Sequence, residues 1–188
     1  MRKFTFIIGG ARSGKSDYAE KVATLSQKPV LYVATAQALD DEMRRRIESH
    51  KLRRPAPWQT LELPTRVGEH LLAQPPRAGV WVLDCITLLI SNLLLQASPD
   101  VDHPDEAASR LAVEVEIDAL LQAIETLPAH WLVVSNEVGQ GLVPPYPAGR
   151  LFRDLLGWAN QRLAQQADEV IWMAAGIPVP IGEYREKH

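Results

Sequence analysis

Residues 4–16 read Phe4-Thr5-Phe6-Ile7-Ile8-Gly9-Gly10-Ala11-Arg12-Ser13-Gly14-Lys15-Ser16, and the reading of this stretch decides the fold. The first five residues are apolar or β-branched, the composition of a strand covered on both faces. Gly9 through Ser16 match G-x-x-x-x-G-K-[ST] at every required position, and a helical pattern, Lys15–Leu25, follows at once. A strand, a glycine loop and a helix in that order make a phosphate-binding loop. Its glycines let backbone N–H groups turn inward around phosphate oxygens, and the helix adds its positive N-terminal end. Lys15 is expected to reach the outer phosphates and the Ser16 hydroxyl to bind Mg²⁺. Arg12, inside the loop, reads as a solvated arginine rather than a catalytic finger.

Outward from this loop, short apolar runs alternate with helical patterns, the signature of a parallel α/β sheet. Strands are expected at Phe4–Ile8, Val30–Ala34, Val80–Asp84, Trp131–Ser135 and Val170–Ala174. Gln59–Leu63 alternates between Pro57 and Pro64 and reads as an edge strand. Helices are expected at Lys15–Leu25, Asp40–Lys51, Thr65–Ala73, Ile86–Gln96, Pro104–Leu127 and Ala148–Gln166. Asp40 is a suitable N-cap. In the long helix, Leu111, Val115, Ala119 and Ala123 recur at spacing four and define its expected buried face. Arg150, Arg153, Asn160 and Gln161 form a polar face of the last helix, read as solvated in preference to a surface that holds a large ligand. Pro144-Pro145-Tyr146-Pro147 is a loop.

The 188 residues suit one domain, 1–188, long enough to bury a core without disulfide or metal. Hydrophobic residues at 46% and charged residues at 23% are an ordinary globular balance. A net charge of −3 lacks the basic footprint of a nucleic-acid binder. No apolar stretch approaches the roughly 20 residues that span a bilayer, and no targeting segment is visible. The single cysteine, Cys85, suits a reducing compartment, so a cytoplasmic location is expected.

A phosphate loop needs an acid at the end of a buried strand, and Val80-Trp81-Val82-Leu83-Asp84 supplies one. Asp84 reads as a Mg²⁺ ligand or as a cap on the next helix. Glu137, in Ser135-Asn136-Glu137-Val138-Gly139, reads as a base, a metal-shell residue or a structural loop acid. Leu39, Met43, Ile47 and His50 fall at spacings of four, four and three, so His50 shares a helix face with apolar residues. Lys51, Arg53 and Arg54 follow it. Two readings of His50 stand. It complements the negative end of its helix together with the cations, or it is a nucleophile beside cations that hold a triphosphate. His70, His103, His130 and His188 match no metal-ligand spacing and read as surface or structural residues. From the residues alone, a small-molecule kinase and a non-catalytic nucleotide-binding module are both open.

The chain resembles the bifunctional adenosylcobinamide kinase/adenosylcobinamide-phosphate guanylyltransferase family of cobalamin biosynthesis. The resemblance runs through Gly9–Ser16, Tyr32-Val33-Ala34-Thr35-Ala36, Asp40-Asp41-Glu42-Met43, His50-Lys51, Arg54-Pro55, Asp84-Cys85-Ile86-Thr87, Asn136-Glu137-Val138-Gly139 and Asn160-Gln161-Arg162. It implies a P-loop NTPase fold of RecA-like type, a mainly parallel sheet with helices on both faces, assembled as a trimer. It also implies two reactions. ATP or GTP phosphorylates adenosylcobinamide; GTP then guanylylates a histidine, and GMP passes to adenosylcobinamide phosphate. The matching histidine is His50, and Ser49 stands where relatives can carry a second one. Nucleotide contacts carry over to Gly9, Gly10, Ala11, Arg12, Ser13, Gly14, Lys15 and Ser16. They carry over also to Ala34, Thr35, Ala36, Lys51, Leu52, Arg53, Arg54, Glu62 and Asp84.

Overall fold

Strand β1 (Lys3–Gly9) leads through the phosphate loop into α1 (Lys15–Leu25), and the chain then alternates between strand and helix. The computed structural model describes residues 2–38 and 40–182, without the side chains of Glu42, Arg46 and Arg53. Next come β2 (Val30–Ala34), α2 (Asp41–Arg53), β3 (Gln59–Glu62), α3 (Val67–Ala73), β4 (Val80–Asp84) and α4 (Ile86–Ala97). They are followed by α5 (Glu106–Thr126), β5 (His130–Asn136), α6 (Pro147–Gln166), β6 (Glu169–Ala174) and β7 (Ile177–Pro180). The strands form one sheet in the order β3-β2-β4-β5-β1-β6-β7, parallel throughout except for β7. This is the expected mainly parallel sheet with helices on both faces. One face packs on α1 through Ile7, Tyr32, Val82 and Val134 against Ala19 and Ala23. The other packs on α3 to α6 through Phe4, Phe6, Leu31, Trp81 and Trp131. Strands covered on both faces need no polar alternation, which is why β1, β2 and β4 read as unbroken apolar runs.

The expected edge position of β3 is what the sheet shows. Two expectations need correction. Ala123 is buried as expected, but the rest of the buried face of α5 is Val113, Ile117, Leu120 and Ile124, whereas Leu111 and Val115 are 62% and 61% exposed. A strict spacing of four drifts round a helix of 3.6 residues per turn, and the packed stripe follows mixed steps of four and three. The second correction is β7, a segment to which the sequence analysis assigns no element although it carries Pro178 and Pro180. An antiparallel edge strand tolerates both, since its outer N–H groups pair with nothing.

Helix α3 has no side-chain cap of its own. The carboxylate of Glu116, reaching across from α5, accepts from the N–H groups of Arg66 at 2.6 Å, Val67 at 2.8 Å and Gly68 at 3.3 Å. Burial nevertheless raises the Glu116 pKa, the backbone bonds opposing it. The crossing is close: a Cβ on Gly68 would lie 2.3 Å from the backbone of Ala119 and Leu120. Backbone cannot swing aside as a side chain can. Gly68→Ala is therefore expected to cost about 3 kcal/mol by forcing the helices apart. A thermal melt would show this as a drop of roughly 6–12 °C.

Candidate functional site

The phosphate loop is held from three sides. Gly9 ends β1 so close to β6 that a Cβ there would sit 2.4 Å from the Met173 carbonyl. Gly14, at the head of α1, takes φ +92°, which favours glycine. The turn between β6 and β7 braces the loop, Gly176 N–H donating to the Ser13 carbonyl at 3.0 Å. Within the loop, Lys15 is buried, and its ammonium donates to the Gly10 carbonyl at 2.6 Å and the Ser13 hydroxyl at 3.3 Å. Its charge lies against the loop before any phosphate arrives. Arg12 is exposed, as the sequence indicated.

Asp84 stands at the end of β4, separated from β1 by β5. It is not the cap of α4: that position is Cys85, with no side-chain cap bond. The Asp84 carboxylate faces the cleft and accepts at Oδ2 from the Tyr32 hydroxyl at 2.6 Å. Burial, and then the Asp84 charge, raise the Tyr32 pKa far above the ordinary phenol value, so the hydroxyl remains a donor. The Arg54 guanidinium lies over the Tyr32 ring at 3.7 Å, and Trp58 stacks beside it with ring centroids 6.4 Å apart. Two buried guanidinium nitrogens of Arg54, Nε and Nη1, have no hydrogen-bond partner. A cation so placed suits an anionic ligand. Burial pushes the Cys85 thiol up to about 12, which keeps it protonated and poorly nucleophilic.

Two adjoining lobes form one open cleft along the carboxyl ends of the strands, where parallel α/β sheets bind ligands. One lobe, about 1020 Å³, is walled by Ala11 through Asp17. The other, about 740 Å³, is walled by Tyr32, Ala34, Ala36, Met43, Ile47, Arg54, Glu62 and Leu88. Five residues border both: Ser16, His50, Asp84, Cys85 and Asn136. The helix-face reading of α2 holds for Met43, Ile47 and His50, which all reach the cleft, while Leu39 lies outside the described residues. Asp40 caps this helix as expected, accepting from Met43 N–H at 2.7 Å.

Other expected contacts do not reach the cleft. Thr35 is fully buried, its hydroxyl donating to the Cys85 carbonyl and accepting from the Cys85 N–H, both at 2.8 Å, so it ties β2 to β4. Leu52 is 87% exposed. Lys51 pairs with Glu62 in a neighbouring groove that it shares with Arg54 and Trp58. The Arg53 side chain is outside the described residues. Glu137 accepts from the Gly139 N–H of its own loop, the structural reading of that acid. Of the other histidines, His103 is exposed, His130 is half-buried against the Thr5 hydroxyl at 3.1 Å, and His188 is outside the described residues. Asn160, expected on a solvated face, is buried beneath β5. The sequence reading passed over Tyr32 and Asn136 as site residues. The signal for Tyr32 was available: it is the polar-tipped residue of β2, two before Ala34 and so on the same face.

The sheet, the loop and the acid across from it define a phosphate-loop nucleotide-binding protein of the α/β class. Among the described residues no helix is long and apolar enough to cross a membrane. The family profile described as CobU, cobinamide kinase / cobinamide phosphate guanyltransferase, matches residues 5–181, and the chain belongs to this family. It is 44% identical over 178 residues to the bifunctional adenosylcobalamin biosynthesis protein CobU of Salmonella typhimurium, covering 93% of this chain and 97% of that one. The bifunctional adenosylcobalamin biosynthesis protein CobP of Pseudomonas aeruginosa is 41% identical over 175 residues, covering 93% and 95%. A solved Pyrococcus horikoshii OT3 protein shares the fold at TM-score 0.55 and 6% identity, covering 98% of this chain and 88% of that one.

Proposed function

We propose that this chain phosphorylates adenosylcobinamide with ATP or GTP and then transfers GMP from GTP to adenosylcobinamide phosphate through a guanylyl-histidine on His50. The observation that carries this reading is the position of His50, on the border between the phosphate-loop lobe and the second lobe. In the first reaction the acceptor hydroxyl oxygen bonds to the γ-phosphorus, the bond to the β,γ-bridging oxygen breaks, and the hydroxyl proton leaves to solvent. Lys15 offsets the charge that develops on the outer phosphates. In the second reaction an imidazole nitrogen of His50 attacks the α-phosphorus of GTP and pyrophosphate leaves with the bonding pair. A phosphate oxygen of the acceptor then displaces the imidazole, giving adenosylcobinamide-GDP. Arg54 and the loop N–H groups orient the nucleotide.

Mg²⁺ fits the residues present. The Ser16 hydroxyl and the Asp84 carboxylate border the same lobes, and the Tyr32 bond occupies Oδ2 while leaving Oδ1. The described residues include no group of three or more His, Cys, Asp or Glu side chains suited to a metal, which agrees with a cation held mainly by phosphates and water. Bound there, Mg²⁺ neutralises phosphate charge. Asp84→Asn keeps an acceptor for Tyr32 and removes the charge, so unchanged thermal stability is expected. Its kinase rate should fall roughly 10–100-fold, with a higher Mg²⁺ concentration needed for half-maximal rate; a normal Mg²⁺ dependence would make Asp84 structural.

The family resemblance further supports a homotrimer, the length one domain over residues 1–188, and the single cysteine a cytoplasmic location. The test of the whole reading uses two labels. γ-Labelled ATP should pass its label to cobinamide, and α-labelled GTP should label the protein covalently. Transfer without covalent labelling would reduce the chain to a simple kinase, and nucleotide binding with neither would reduce it to a binding module.

A further inference from the structure

Asn136 ends β5 and borders both lobes of the cleft, yet the mechanism above gives it no task. It lies beside the phosphate loop, in register with Gly9, and the next residue, Glu137, donates its N–H to the Gly9 carbonyl at 3.0 Å. Its backbone is fixed on both sides by buried side chains. The Asn136 N–H donates to the Thr87 hydroxyl at 2.8 Å, and its carbonyl accepts from Asn160 Nδ2 at 3.0 Å. Asn160 is itself locked, since its Oδ1 accepts from the Ser135 hydroxyl at 2.6 Å. Thr87, Ser135 and Asn160 are 9%, 0% and 6% exposed.

Burying three polar side chains under one strand end is costly unless each is bonded, and here each is. The effect is to hold one residue rigidly at the mouth of the phosphate loop. Meanwhile the Asn136 carboxamide hydrogen-bonds to no other described residue. A locked backbone carrying an uncommitted amide toward a cleft is the arrangement expected of a preorganised ligand contact.

We infer that the Asn136 carboxamide donates a hydrogen bond to the terminal phosphate of the bound nucleoside triphosphate, with Thr87, Ser135 and Asn160 as its positioning residues. The proposal rests on the nucleotide site described above. The bond distinguishes triphosphate from diphosphate, because only the former places an anionic oxygen beyond Lys15. It also orients the phosphoryl group that the kinase reaction transfers.

The experiment uses the full chain with Asn136→Asp and Asn136→Ala, since Asn136 makes its structural bonds through the backbone and both variants should fold. Calorimetric titration with a non-hydrolysable ATP analogue and with ADP, each with Mg²⁺, reads the triphosphate preference directly. Asn136→Asp should lower that preference about tenfold by setting a carboxylate against a phosphate, with ADP affinity little changed. Asn136→Ala should lower it by about threefold. The rate of cobinamide phosphorylation should fall in the same order. Equal losses for both nucleotides, or an Asn136→Asp variant indistinguishable from the parent, would overturn the inference. A parent that binds both nucleotides but phosphorylates no cobinamide would overturn the functional reading and leave the Asn136 contact standing. A parent that binds neither would overturn both.

Discussion

Lys15→Ala should lower phosphoryl transfer to cobinamide about a thousandfold, equivalent to roughly 4 kcal/mol of transition-state stabilisation. The expectation rests on where the ammonium already lies. It is 7% exposed and held at 2.6 Å by the Gly10 carbonyl. A cation fixed in a water-poor site acts on developing phosphate charge without first being ordered. The variant should still fold, because the loop is shaped by backbone bonds, Ser13 N–H to the Gly10 carbonyl and Gly176 N–H to the Ser13 carbonyl. Initial rates measured on a variant with a normal melting temperature decide the matter, and turnover within a few-fold of the parent would remove the loop from the chemistry.

His50→Ala should abolish covalent labelling by α-labelled GTP, and with it guanylyl transfer. Phosphorylation of cobinamide should survive in part, since that acceptor hydroxyl attacks phosphorus without a protein nucleophile. The adduct of the parent should be labile in acid and stable in base, as a phosphoramidate is and a serine phosphoester is not. Competition from the neighbouring thiol is weak, because burial keeps Cys85 protonated at any working pH. Labelling that persists in the variant, or an acid-stable adduct, would move the nucleophile elsewhere. Loss of both reactions in a folded variant would assign His50 to holding the shared nucleotide.

What could be read in the sequence was set by local chemistry. The boundaries Lys15–Leu25, Val30–Ala34 and Val80–Asp84 agree with the structure, because glycines, caps and unbroken apolar runs mark them within a few residues. His50 was legible as a cleft residue because a helical period places it with Met43 and Ile47. The partners of these residues were not legible. The donation of Tyr32 to Asp84 crosses 52 positions, and the tie from Asn160 to Asn136 crosses 24. Asn160 looked solvated because a polar residue between Ala159 and Gln161 carries no mark of what lies beneath a strand. On α5 the regular spacing of Leu111 and Val115 was a lure; which apolar stripe is buried depends on the helices packed around it. Strand β7 went unassigned; its prolines are tolerated because it lies at the end of the sheet.

The central place of β1 in the sheet governs when a growing chain can acquire its activity. Both neighbours of this first strand arrive late in synthesis: β5 begins at His130 and β6 at Glu169. The bond from the Thr5 hydroxyl to Glu169 spans 164 positions. Pairings so remote close slowly, since the intervening loop entropy must be met before any contact forms. The glycine segment is made well before either partner of its flanking strand, which stays unpaired until β5 and then β6 have followed. Nascent chains that end before Glu169, lacking β6 and the turn that braces the loop, should therefore capture no nucleotide during translation.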